Sequence, residues 1–358
     1  MFTRPTSRRT HTIWYGTLSL ALTLLIALGS VGVTAQEATP AADGERPSFD
    51  LSGVQIRVTT AGETLEMPAY RIWDYIGEWG AEVDKIELTS TTGVQALLAN
   101  QAELAGQGTD ELILGAAEGA DLVAIASTKD KMDYVMVTSN EINSVQDLAG
   151  RTIGMSGPAG FDTMLARLTV QQNGMSLDDV NFVQIGGSPD RAAALLTGRI
   201  DAAVVFIPDW FELQLRTDEI QDLLYMSEVL PGAAKSVIFG RREFIEANPE
   251  LALAVACANL EAFEWFNQDK QRFIDYTIEN VPGVTEEALS ITWDEMIELD
   301  MYPLDPDELL NIEGVQLVAD AMLENGDIQN PVDASQFVDR SYLEEAAAMG
   351  CGAPQADA

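Results

Sequence analysis

Apolar and polar residues alternate as in a strand over residues 54–59, and from residue 68 the period becomes helical. Ala69, Ile72, Trp73 and Ile76 then fall on one face of a helix spanning 68–79. The same switching continues. Strands are predicted at 85–88, 104–107, 122–127 and 134–138, with helices at 93–98 and 111–117 between them and a short capped helix at 143–148. A second set follows, with strands at 152–155, 182–185, 202–205 and 223–226 and helices at 161–173, 189–197 and 209–216. Residues 236–240 read as a strand returning to the first set, and from Arg242 onward the pattern is helical. The segment 250–266 is the strongest helix, with Pro249 in its first turn. Strands alternating with helices through short connections imply mostly parallel sheets covered on both faces.

One stretch is written twice. Residues 96–107 read A-L-L-A-N-Q-A-E-L-A-G-Q and residues 194–205 read A-L-L-T-G-R-I-D-A-A-V-V, so a helix end, a turn, an acidic residue and a strand recur 98 positions apart. The recurrence predicts two lobes, each followed at this point by an Asp-containing turn, Gly108-Thr109-Asp110 and Pro208-Asp209-Trp210. We place the first lobe at 51–138 plus 239–345, the second at 139–238 and a tail at 346–358. The lobes are then joined twice, near Val137 and near Lys235, which makes a hinge able to open and close on a ligand.

The N-terminus reads differently. Arg4, Arg8 and Arg9 precede an apolar run ending in Val33-Thr34-Ala35, the layout of a signal peptide over 1–35, followed by an Ala-, Glu- and Pro-rich leader at 36–50. Export is expected, either with cleavage after Ala35 or with this segment kept as a membrane tether. The formal charge of the 358-residue chain is −37, a field that repels phosphate backbones and excludes nucleic acid as a partner. Its one histidine, His11, lies in the signal. Serine–histidine and cysteine–histidine catalysis are thereby excluded from the mature chain, and no metal site or cofactor is expected. Of the two cysteines, Cys257 falls on a predicted helix and Cys351 in the tail. Either they pair, as an oxidising compartment permits, or Cys257 is a buried thiol and Cys351 a free one.

The run Asp147-Leu148-Ala149-Gly150-Arg151-Thr152-Ile153-Gly154, with Ala193-Ala194-Leu195-Leu196-Thr197-Gly198-Arg199-Ile200-Asp201-Ala202-Ala203 further on, resembles the substrate-binding proteins of ABC importers. The nearest branch is the one containing sulfonate, taurine, nitrate and thiamine-precursor binders, and the likeness covers most of 54–300. It implies a two-lobed, periplasmic-binding-protein-like fold of type II and a binding function rather than catalysis. It also implies a small-molecule ligand, a permease and an ATPase as partners, and a monomer. The same superfamily contains a thiamine pyrimidine synthase that uses an active-site histidine. That chemistry does not carry over to a mature chain without one.

Ligands of open α/β sheets lie beyond the carboxyl ends of the strands. That rule nominates Gly62, Glu63, Thr91, Thr92, Gly108, Thr109, Asp110, Ser127, Ser156, Gly157, Phe161, Ser188, Phe206, Asp209 and Trp210. Each also has a structural reading, as a helix cap or a turn residue. No Arg or Lys occupies these turns, whereas Glu63, Asp110, Asp162 and Asp209 do, so the expected ligand is a neutral or amine-bearing heterocycle stacked on Phe161, Phe206 or Trp210. The alternatives are a sulfonate-, taurine- or nitrate-type anion, an enzyme using Asp110 and Asp209 as acid and base, and a sensor ectodomain. The acidic helices at 286–301 and 309–325 are expected to cover the first lobe.

Overall fold

The structure, a computed structural model, describes residues 46–60, 67–88, 92–158 and 160–353. The expected signal peptide, most of the leader, Gly62, Glu63 and Thr91 lie outside the described residues.

The first run comprises β1 (Gln55–Thr60), α1 (Met67–Glu78), β2 (Glu82–Glu87), α2 (Gly93–Leu98), β3 (Leu104–Gly108), α3 (Thr109–Ala117) and β4 (Leu122–Lys129). The second comprises β5 (Tyr134–Ser139), β6 (Thr152–Met155), α4 (Phe161–Gln172), β7 (Asn181–Gln184), α5 (Ser188–Leu196), β8 (Ala202–Phe206), α6 (Ile207–Gln214), β9 (Ile220–Tyr225) and α7 (Met226–Val229). The chain then returns through β10 (Ser236–Arg241) to α8 (Arg242–Ala247), α9 (Pro249–Gln268), α10 (Lys270–Asn280), α11 (Glu286–Glu298), α12 (Ile312–Asn325) and α13 (Ser341–Ala348).

The strands form two five-stranded sheets, ordered β2-β1-β3-β10-β4 and β7-β6-β8-β5-β9. β1 pairs parallel with β2 and β3, and β10 runs antiparallel to both β3 and β4. The second sheet repeats this, with β6 parallel to β7 and β8, and β5 antiparallel to β8 and β9. Four strands of each sheet therefore point one way, and the fifth is the strand that has just arrived from the other lobe. This is the two-lobed periplasmic-binding-protein fold. The echo in the sequence is the structural equivalence of α2-β3-α3 with α5-β8-α6.

Two expectations need correction. β5 belongs to the second sheet and all of β10 to the first, so the chain changes sheets between Lys129 and Tyr134, earlier than the crossing predicted near Val137, and again between Tyr225 and Ser236, an interval that contains Lys235. Both strands are apolar runs, and such a run does not show which sheet will receive it. The acidic helices also do more than cover one lobe. α11 packs on α6 of the second lobe, while α12 touches both α3 and α4. Their buried faces, Ala288, Leu289 and Met296 in α11 and Val315, Val318 and Met322 in α12, explain why charge content misplaces them.

α9 is apolar nearly all round, from Leu251 to Phe266, and is the buried spine of the first lobe, packed against α1, α13 and β4. A disulfide joins Cys257 on this spine to Cys351, so the tail to Ala353 lies along α9. Gly352 N donates to Glu261 Oε1 at 2.9 Å, and Arg46, at the other end of the described chain, pairs with Glu261 at 3.2 Å. No helix among the described residues is long and apolar enough to cross a membrane.

Candidate functional site

The carboxyl ends of the strands and the amino ends of the following helices meet where the two lobes face each other. Lys235, just before β10 and 6 % exposed, extends its Nζ over the rings of Phe161 at 5.0 Å and Tyr134 at 5.2 Å. Tyr134 stacks on Phe206 with ring centroids 4.5 Å apart. A residue carried by the first lobe thus rests on an aromatic cluster of the second. Lys129 Nζ lies 5.5 Å from the centroid of Phe206 and 2.7 Å from Asp133 Oδ2, a second cation held against the same cluster.

Asp110, in the first turn of α3, folds back so closely that a Cβ on Gly108 would stand 2.1 Å from its Oδ1, which explains the glycine. Burial pushes the Asp110 carboxyl up, against the pull of the Lys235 charge. Thr109 N donates to the Lys235 carbonyl at 3.0 Å, fixing the turn beside the lysine.

Carboxylates occupy the other helix starts as well. Asp162 begins α4 and accepts from Ser156 N at 3.0 Å and from Ser156 Oγ at 2.5 Å. Asp190 lies in the first turn of α5 and Asp209 in that of α6. Ser188 Oγ donates to Asp209 and accepts from Phe206 N at 2.9 Å, tying α5 to α6. The start of α2 is served by Glu111, whose Oε2 accepts from Gly93 N at 2.8 Å. From α2 to α6, each helix start along this edge has an acidic side chain in or against its first turn, where the helix dipole favours negative charge.

Arg191, 2 % exposed, lies beneath this layer. It donates from Nε to Val204 O at 2.9 Å and from Nη1 to Gly186 O, and sits 3.7 Å from Asp162. Its donors serve the protein itself.

Measured against the expected site, the structure brings together Gly108, Thr109, Asp110, Ser156, Phe161, Ser188, Phe206 and Asp209. Gly157 supports the α4 start, its carbonyl accepting from Thr163 Oγ1 at 2.7 Å. Three candidates are spent on structure. Thr92 caps α2, accepting from Gln95 N at 3.2 Å. Ser127 is fully buried, where its N–H and carbonyl bond the Asn259 side chain and its Oγ donates to Ser236 O at 3.1 Å. Trp210 is 2 % exposed and belongs to the core, so it offers no stacking face.

Sequence reasoning missed Tyr134 and Lys235, and with Lys235 the expectation of a site without cations fails. Both residues stand at the beginning of the antiparallel strand of a sheet, and the beginning of such a strand shares an edge with the ends of its neighbours. Had the strand polarity been read from the sequence, the nominating rule would have named them. Asp110 and Asp209 also sit in different surroundings, the first governed by Lys235 and Asp162, the second by Ser188, Arg191 and Glu212. Burial raises the Asp209 carboxyl too.

Burial pushes Glu111 further, from 4.5 up to about 7, with Asp110 adding to the rise and the α2 N–H groups opposing it. Asp130, buried between the two sheets' connection and the Leu310 N–H, is likewise pushed up to about 7 by burial. Each folded-state value lies above the unfolded one. The folded protein therefore keeps protons that the unfolded chain releases between about pH 4 and 7, and stability falls as pH rises through that window. Melting temperature is expected to be higher at pH 5 than at pH 8, and Glu111→Gln to remove up to about 3 kcal/mol of that pH dependence. Identical pH–melting curves for the variant and the parent would show that Glu111 carries no such proton.

A family model described as NMT1/THI5 like matches residues 74–272. The chain belongs to this NMT1/THI5-like family. No curated protein matches it in sequence. Among solved structures, the periplasmic aliphatic sulphonate binding protein SsuA of Escherichia coli superposes with a TM-score of 0.64 at 20 % identity, covering 80 % of this chain and 97 % of that one. The periplasmic nitrate-binding protein NrtA of Synechocystis PCC 6803 gives 0.66 at 15 % identity, with coverages of 85 % and 90 %. The desulfurization enzyme DSZB gives 0.61 at 18 % identity, with coverages of 83 % and 99 %. At these identities the structural likeness establishes the fold, and family membership rests on the sequence match.

Proposed function

We propose that the protein is the exported solute-binding component of an ABC importer, a monomer that takes a small organic ligand between its lobes and presents it to a permease and its ATPase. Family membership and the binding-protein neighbours support the importer role. The observation that carries the ligand class is the row of carboxylates along the helix starts. A sulfonate or nitrate ion is drawn to a helix start whose positive end is uncompensated, and here Glu111, Asp110, Asp162, Asp190 and Asp209 place carboxylates in or against the first turns of α2 to α6. The ligand that fits is a flat heterocycle without net negative charge. Phe206, the partly exposed ring of the Phe161–Tyr134–Phe206 cluster, supplies a ring face, and Asp110 beside Lys235 supplies an acceptor and a donor for a ring nitrogen with an adjacent amino group.

Tryptophan fluorescence tests this, since Trp210 follows Asp209 directly on α6. Titration with a 4-aminopyrimidine or riboflavin is expected to give a saturable change, and taurine and nitrate none. Asp110→Asn should weaken the heterocycle by about 10-fold or more, the worth of a hydrogen bond to a charged group. One observation favours a second reading, an anion ligand: Lys235 brings a cation to the cluster. Tight taurine or nitrate binding that survives Asp110→Asn and is lost in Lys235→Gln would establish that reading and overturn the first. The DSZB neighbour calls for one control, recovery of the bound ligand unchanged after incubation, as importer function requires.

A further inference from the structure

Phe206, which stacks on Tyr134, also lines a cavity of about 540 Å³ between α5, α6 and the turn joining α10 to α11. The volume lies within the range of small-molecule pockets. Ala192, Ala193, Leu196 and Leu213 form its apolar floor, and Val281 and Val284 face them from the turn. Three ionisable residues face it: Asp209, Glu212 and Arg216. Asp209 is bonded to Ser188 at the cluster end. Glu212 accepts from Thr285 Oγ1 at 3.0 Å, a contact between α6 and the chain just after the turn. Arg216 lies 3.6 Å from Glu212, with its side chain 60 % exposed against 21 % for Glu212. The guanidinium therefore spends its charge largely in water, while the carboxylates lie deeper, beside apolar walls where charge is less screened.

We propose that this cavity is a second ligand site, for a compact apolar molecule bearing one protonated amine. The apolar floor takes the body of the molecule, and Glu212 with Asp209 takes the ammonium group. An occupant touches α5 and α6 of the second lobe and a turn carried by the helices packed on the first, so binding here holds the two in their present relation. The cavity shares Phe206 and Asp209 with the cluster beside Lys235, and the proposal does not depend on which ligand binds there.

Three probes share one cage and differ in the head group: 1-adamantylamine, 1-adamantanol and 1-adamantanecarboxylate, each titrated calorimetrically into the full protein. The amine is expected to bind saturably with a dissociation constant below about 1 mM, well within the efficiency of small ligands. The alcohol should be weaker by about 5-fold or more, and the carboxylate should give no heat of binding. Ala193→Trp fills the cavity from an exposed position and should abolish amine binding while leaving the heterocycle titration unchanged. Leu196→Trp, also at a partly exposed position, serves if that variant does not fold. Glu212→Gln should reduce the amine to the affinity of the alcohol. Absence of saturable amine binding, equal binding of amine and carboxylate, or full amine binding in the tryptophan variant overturns the proposal. Loss of heterocycle binding with the amine retained counts against the ligand reading beside Lys235 alone.

Discussion

Reducing the Cys257–Cys351 bridge is expected to lower the stability of the protein by about 4–5 kcal/mol, because the bond closes a loop of 94 residues that the reduced unfolded chain is free to open. The local structure raises the cost further. The bridge holds the tail against α9, where Gly352 N meets Glu261 Oε1 at 2.9 Å and the Leu260 backbone lies about 3 Å from where a Gly352 Cβ would be. Once the sulfur link is gone, these contacts carry the load of holding Gly352 against α9, beside the Arg46–Glu261 ion pair. Guanidinium denaturation with and without reductant measures the effect, and a Cys351→Ala variant separates it from reductant artefacts. Coincident denaturation midpoints would mean that the bridge adds nothing to the contacts around it.

A comparable loss is expected from Asp133→Ala, through charge rather than chain entropy. Lys129 Nζ and Asp133 Oδ2 are 2.7 Å apart with side chains 1 % and 0 % exposed, at the point where the chain leaves the first sheet for the second. Removing the carboxylate takes its ion-pair partner from an ammonium group buried against the Phe206 ring, at a cost of about 3–5 kcal/mol. Replacing both residues together, Lys129→Met with Asp133→Leu, should recover most of the loss, since a buried pair adds little over apolar groups of similar size. Denaturation midpoints of the single and double variants decide it. If Asp133→Ala costs less than about 1 kcal/mol, water reaches Lys129 and the crossing is looser than its burial indicates.

The elements were legible because their patterns are local. The alternation of periods marked nearly every strand and helix, and the echo identified the pairing of α2-β3-α3 with α5-β8-α6. Phe161, Phe206, Asp110 and Asp209 followed from a rule about strand ends, which needs only the order of elements. Lys235 and Tyr134 required knowing that β10 and β5 run against their neighbours, a fact about pairing across more than a hundred residues for β10. The fate of Ser127 depended on Asn259, which is 132 positions away. Trp210 was misjudged for a simpler reason: on an eight-residue helix it takes the face turned to the core. What a side chain touches across the fold is not written beside it.

The exchanged strands impose an order on how the molecule comes to exist. All five strands of the second sheet lie between Tyr134 and Tyr225, so that lobe completes itself from one continuous stretch. The first sheet has no such option, because β3 and β4 share no ladder and both wait for β10. Until residue 236 arrives, β3 and the apolar β4, Leu122-Val123-Ala124-Ile125-Ala126 at its start, present open hydrogen-bonding edges to each other and to any other chain nearby. That interval is when self-association between nascent copies is most favoured, and its length is set by how fast the second lobe passes by.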